Sequence, residues 1–196
     1  SKFHHMYNKK VSCPIVIRTP MGGGRGYGPT HSQTLDKFLV GIDNVSVVAL
    51  NSFIDPKLIY NNIYQHESHP MIVIENKIDY GKFVGTQKLV NYSIQRNKDK
   101  YPVVKCSPIV DTPTLTLVTY GGISSDLFSC LLDIFKQTDL IPELIILSLI
   151  SPLNIKPVLN SVKKTRRIIV VEEGSDNFGI GAEVISEVMA ECASDI

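Results

Sequence analysis

The residues with the types and spacing for chemistry gather in one stretch, residues 14–42, PIVIRTPMGGGRGYGPTHSQTLDKFLVGI. Its most interesting member is His31. An imidazole ionises near neutrality, so a histidine beside a glycine loop can present a ring nitrogen to a substrate as acid or donor. The local pattern alone favours the plainer alternative, a surface histidine in a first helical turn. Thr30 and Gln33 have the spacing of a capping box and read as cap partners. Arg18 could grip a carboxylate or phosphate with two parallel bonds, though an arginine at a strand end more often forms a salt bridge. Between Arg18 and His31, glycines occupy five of seven positions, 22, 23, 24, 26 and 28. Glycine tolerates positive φ and close backbone approach, so the loop is either a ligand-facing wall or a sharply turning connection.

Other clusters carry less. His4 and His5 are adjacent and cannot point the same way along a helix or strand. His66, Glu67 and His69 imitate a metal cluster, but read as a solvated connection ahead of Pro70. Gly179-Ile180-Gly181 follows a strand and opens a helix, yet Val184 stands where a dinucleotide fingerprint needs its third glycine, and the preceding EEGSDNF loop is too long. Gly121-Gly122 lacks the Lys-Ser/Thr of a phosphate loop. Glu172-Glu173 ends a strand and reads either as paired acids in a cleft or as ordinary polar termination. Residues 163–167, KKTRR, close a helix where cations complement its dipole. No group is read as a metal site.

The elements that must position these groups follow from periodicity. A short strand, residues 14–17, feeds the glycine loop. A helix is expected from Thr30, carrying Leu35, Phe38, Leu39 and Ile42 on one face. Strands follow at residues 45–50 and 71–74, with a helix opened by Asp55-Pro56 between them. Residues 76–100 are polar and aperiodic and read as a linker. Beyond it, strands at 101–110, 115–119, 143–149 and 168–171 alternate with helices starting near residues 124, 154 and 179. Near-continuous Leu, Ile and Val in such strands indicates a mainly parallel sheet covered on both faces. The expected fold class is α/β, in two sheet domains: residues 1–80, a linker at 81–100, and residues 101–196.

The totals set bounds. The chain has 196 residues, 43% of them apolar and 20% charged, with a formal net charge of +1. Such a charge supplies no global field to steer nucleic acid or an anionic membrane. Four cysteines without a CxxC pair fit reduced thiols, not a disulfide framework or a zinc site. No apolar run approaches the ~20 residues of a membrane helix.

RTPMGGGRGYGPTHSQ, VSVVALNSFIDPKLIY and HPMIVIENKIDYG resemble the beta subunit of the thiamine-diphosphate-dependent 2-oxoacid dehydrogenases, of the pyruvate and branched-chain type. LTLVTYGGISSD, IILSLISPLN and IIVVEEGSDNFGIGAEV resemble that family's transketolase C-terminal domain. The resemblance implies a transketolase-like pyrimidine-binding domain, partial here, over residues 1–80, followed by the C-terminal domain. It implies oxidative decarboxylation of a 2-oxo acid with acyl transfer to lipoyl groups. The cofactor is thiamine diphosphate with magnesium, held mainly by an alpha subunit. The implied partners are that alpha subunit in an α2β2 tetramer, a lipoyl acyltransferase core and a second beta subunit. A bacterial cytoplasm or an organelle matrix is the implied location. Among the site residues, His31 matches the family's active-site histidine.

Against the family pattern, the chain reads as a fragment. The segment bearing the glutamate that protonates the aminopyrimidine ring would lie ahead of Ser1, and the last strand and helix would follow Cys192. The chain alone is therefore expected to be inactive. Glu67 and His69 stand where some relatives bind potassium through an Asp and an Asn. Two alternatives stay open: a noncatalytic assembly module for the alpha subunit or acyltransferase core, and a piece of a transketolase or deoxyxylulose-phosphate synthase relative.

Overall fold

The computed structural model describes residues 1–175 and 177–192. In chain order the elements are α1 (Phe3–Met6), β1 (Val16–Met21), β2 (Ser46–Ala49), α2 (Pro56–His66), β3 (Met71–Asn76), β4 (Tyr92–Arg96) and β5 (Val104–Pro108). Then come β6 (Leu115–Tyr120), α3 (Ser124–Ser129), α4 (Leu131–Thr138), β7 (Pro142–Leu147), β8 (Leu149–Ser151), α5 (Lys156–Thr165), β9 (Ile168–Val170) and α6 (Ile180–Cys192). They build two sheets flanked by helices, the expected α/β class. The first has the order β1-β3-β2-β8 and the second β4-β5-β7-β6-β9.

In the first sheet β1, β3 and β2 run parallel, with Met21 opposite Asn76 and Ala49 opposite Ile74. Residues Met71–Glu75 of β3 and all of β2 are buried, which is why they read as unbroken apolar runs. β1 is the edge strand, and its Val16 and Ile17, with Ile15 before it, remain about half exposed. In the second sheet β7, β6 and β9 are parallel, while β5 and β4 continue it antiparallel. Helix α2 begins where Asp55 accepts from the Lys57 amide at 2.8 Å, with Pro56 in the first turn.

The sheets are not separate bodies. β8 follows β7 of the second sheet after one residue, yet pairs antiparallel with β2 of the first. One apolar cluster joins Val47, Ala49 and Ile74 of the first sheet to Val118, Ile145 and Leu147 of the second. Another joins Val48, Met71 and Val73 to Leu117, Leu144 and Ile146.

Three local expectations change. No helix starts at Thr30: residues 22–35 are loop, followed by a single 3₁₀ turn, Asp36–Phe38. The amides of His31 and Ser32 instead turn back onto the Gly28 carbonyl, at 3.3 and 3.1 Å. Within residues 76–100, polar Tyr92–Arg96 is nevertheless a strand, paired with β5. Glu67 is not solvated: its side chain is 7% exposed, and it accepts from Tyr101 Oη at 2.7 Å and pairs with Lys100 and His69. Burial works to raise the Glu67 pKa, but the Lys100 and Tyr101 hydrogen bonds outweigh it and hold the group below its ordinary range. His69, through Nε2, bonds Ser46 Oγ at 2.8 Å, so the pair that stood for a potassium site ties chain segments together.

Candidate functional site

The carboxyl ends of parallel strands from both sheets converge on the glycine loop, the position where α/β sheets usually place their ligands. β1 delivers Met21, β3 delivers Asn76, β6 delivers Tyr120, and Glu172 and Glu173 follow β9.

The loop is a closed Ω shape. Its base is pinned by the Gly22 amide donating to the Gln33 carbonyl at 3.1 Å. Gly22, Gly24, Gly26 and Gly28 all have positive φ, so this path excludes most side chains. The Arg25 guanidinium donates to the carbonyl oxygens of Gly22 and His31 and stacks 5.5 Å from the Tyr27 ring centroid. Gln33 Nε2 donates to the Thr30 carbonyl at 3.3 Å, so the two expected cap partners do meet, but to close the loop.

His31 stands on this loop, exposed. It borders an open cleft of about 690 Å³ whose lining includes Thr19, Arg25, Tyr27, Phe38 and Lys77. Among the described residues nothing hydrogen-bonds the His31 ring.

On another side of β3 is a cleft of about 330 Å³ that includes Arg18, Tyr60, Glu75 and Tyr80. Arg18 forks onto the buried Glu75, Nε to Oε1 at 2.9 Å and Nη2 to Oε2 at 3.0 Å. The Tyr60 and Tyr80 hydroxyls also donate to that carboxylate. Burial would raise the Glu75 pKa, but these donors prevail and bring it down to about 2. Arg18 is thus committed to a salt bridge.

Behind the loop lies a polar seam between the sheets. The buried Tyr120 Oη is 2.6 Å from Asp36 Oδ2 and 3.1 Å from Glu172 Oε2. Burial pushes the Asp36 carboxyl above its ordinary range; the Tyr120 hydrogen bond opposes this, and the neighbouring Glu172 charge adds to it. Burial, then Asp36, likewise drives the Tyr120 phenol upward. The Gly23 amide donates to Glu173 Oε1, and Asn76 Nδ2 lies 3.5 Å from Glu173 Oε2. Lys37 reaches across to Ser175 Oγ and the Asn177 carbonyl.

The seam shows what the small residues are for. A Cβ at Gly122 would stand 2.1 Å from Asn76 Nδ2, and one at Gly179 2.1 Å from Glu172 Oε1. The GIG of residues 179–181 therefore makes room for Glu172, consistent with its poor match to a dinucleotide loop. Glu172 and Glu173 have separate partners, the Tyr120 hydroxyl and Gly181 amide for the first and the Gly23 amide and Asn76 for the second. Sequence reasoning missed Asp36 and Tyr120 as site-shaping groups; the one signal was Gly121, which follows Tyr120 at the end of β6.

Thiamine diphosphate would need a carboxyl group beside its ring nitrogen. The lining of the His31 cleft supplies cations, hydroxyls and an imidazole but no carboxylate. Among the described residues no group of three or more His, Cys, Asp or Glu is placed to hold a metal ion. The residues of this cleft do not fit thiamine diphosphate unaided.

Comparison with known proteins places this geometry. Residues 105–196 match the transketolase C-terminal domain. The pyruvate dehydrogenase E1 component subunit beta of Rickettsia bellii is 32% identical over 191 residues, 97% of this chain and 56% of that one. The mitochondrial counterpart of Dictyostelium discoideum is 30% identical, covering 100% of this chain and 53% of its own length. The chain thus spans about half the length of the relatives it matches. A solved split-gene transketolase, described as an inactive beta4 tetramer, shares the fold with a TM-score of 0.61 at 14% identity, over 92% of this chain and 54% of that one. Residues 105–196 are similar to the transketolase C-terminal domain, and over nearly its whole length the chain is similar to the beta subunits of pyruvate dehydrogenase E1.

Proposed function

We propose that the chain serves as a beta-type subunit of a 2-oxoacid dehydrogenase, with His31 its catalytic residue at the mouth of the shared site. The observation that carries this reading is the His31 ring, without a protein partner among the described residues, on a stapled loop beside an open cleft. In this reading residues 1–80 form part of a pyrimidine-binding domain and 101–196 the C-terminal domain, with 81–100 connecting them and adding β4 to the second sheet. An alpha subunit completes an α2β2 tetramer and grips the diphosphate through magnesium. The cofactor, when bound, supplies the carbanion chemistry.

This chain's own contribution is a proton. Acyl transfer to a lipoyl group opens its disulfide, so one sulfur takes the acyl group and the other leaves as thiolate. An imidazolium at the cleft mouth can protonate that thiolate. Arg25 holds the His31 carbonyl, so the backbone beneath the ring stays fixed while the ring turns toward its ligand.

The test is His31→Ala in the assembled complex. Acyl transfer to lipoyl groups should fall about 100-fold or more, while the thermal midpoint stays unchanged because the side chain is exposed. Unchanged transfer would remove His31 from the mechanism. A second reading, a noncatalytic assembly module, is favoured by the cleft's lack of a carboxylate. Reconstitution with an alpha subunit and thiamine diphosphate separates the two, since acyl transfer that is lost in His31→Ala contradicts the module and assembly without transfer contradicts the enzyme reading.

A further inference from the structure

We propose that Glu173, just beyond β9 of the second sheet, is a positioning residue for the His31 loop and acts through the Gly23 amide. The inference rests on the reading of His31 given above and extends it to the other sheet.

Three observations converge. Glu173 spans the two sides of the seam: Oε1 accepts from the Gly23 amide, and Oε2 lies 3.5 Å from Asn76 Nδ2 at the end of β3. Asn76 is itself anchored, its Oδ1 accepting from the Ile78 amide at 3.0 Å. A hydrogen bond from an amide to a carboxylate is stronger than one between neutral groups. Next, Gly23 has none of the positive φ of its neighbours, so its backbone shape does not demand glycine. A Cβ there would lie 2.8 Å from Glu173 Oε1, so a side chain at this position would push the carboxylate off the Gly23 amide. Finally, the loop is stiff between Gly23 and His31. Gly22 is pinned to Gln33, and Arg25 bridges the carbonyls of Gly22 and His31. A shift at Gly23 is therefore carried to His31 instead of being absorbed. Displacements of about 1 Å away from the chemistry are enough to cost large factors in rate.

The experiment is a double-mutant cycle in the assembled complex, with His31→Ala beside it. It measures lipoyl acylation, decarboxylation read with an artificial electron acceptor, and amide hydrogen exchange at Gly23. Glu173→Ala and Gly23→Ala should each lower kcat for lipoyl acylation about tenfold. The double variant should fall no further, because both remove one contact. Glu173→Gln keeps an acceptor oxygen and should stay within about threefold of the parent. Decarboxylation should change less than twofold in all of them, about the noise of a rate comparison. Gly23 should lose its exchange protection in Glu173→Ala.

Retained protection at Gly23, single effects that multiply, or parallel loss of both half-reactions would each overturn the positioning role. If His31→Ala alone leaves lipoyl acylation intact, the functional reading falls. Gly23 exchange then still decides whether the contact exists.

Discussion

Tyr120 has one hydroxyl hydrogen and two carboxylate neighbours, Asp36 at 2.6 Å and Glu172 at 3.1 Å. It can satisfy only one of them at a time unless an additional proton sits on the group. Asp36, already raised by burial, is where that proton is best held. A carboxyl whose folded pKa lies above its unfolded value lends stability in full below the ordinary carboxylate range. That contribution is lost as pH rises through the folded value. Asp36→Asn does not titrate, and its amide can donate to Tyr120, leaving the phenol free to donate to Glu172. The substitution should raise the thermal midpoint by roughly 2–4 °C at pH 8 and by less at pH 4, as followed by calorimetry. An equal gain at both pH values would show that charge is not the cause. His31 itself could be singled out from the sequence. Asp36 and Tyr120 could not, because what distinguishes them is a partner 84 residues away, and Glu173 could be read only as one of two acids at a strand end, its Gly23 partner lying 150 residues away.

Among the elements, legibility followed burial. β2, β3, β6 and β7 are covered on both faces, so their composition alone declares them. β4 has a polar sequence at the sheet edge and carries little apolar signal. Of β8 only Leu149 falls within the strand expected at 143–149, since only the position of β2 makes a separate strand of those three residues. The helix expected at Thr30 shows how a sound local pattern is overridden. Leu35, Phe38 and Leu39 have helical spacing, but the preceding loop has already committed its polar groups to its own closure. The glycine turn after β6 belongs at this scale too. Gly122→Ala would push against Asn76 and should destabilise the protein by about 1–3 kcal/mol, the usual cost of overpacking, in denaturant unfolding. Adding Asn76→Ser should recover part of that loss. No recovery would mean that the strain arises elsewhere.

For the molecule as a whole, the shared apolar clusters make each sheet part of the other's core. The α/β class was readable from strands alternating with helices, whereas this interlock was not, because sequence order suggests two bodies in series. The β8 crossover has a consequence for integrity under proteolysis. Residues 82–91 contain no helix or strand, and Lys88 is exposed. Trypsin cutting there would leave an amino-terminal piece carrying β1, β2 and β3 and a carboxy-terminal piece carrying all the other strands. Because the second piece lends β8 to the sheet of the first, the nicked protein should elute on gel filtration as one particle. It should come apart only in denaturant, with both pieces unfolding together. Dissociation in native buffer would show that the crossover strand and shared core are too weak to replace the cut peptide bond. A backbone joined in this way behaves as a self-complementing pair, two halves that recognise each other without needing to be covalently continuous.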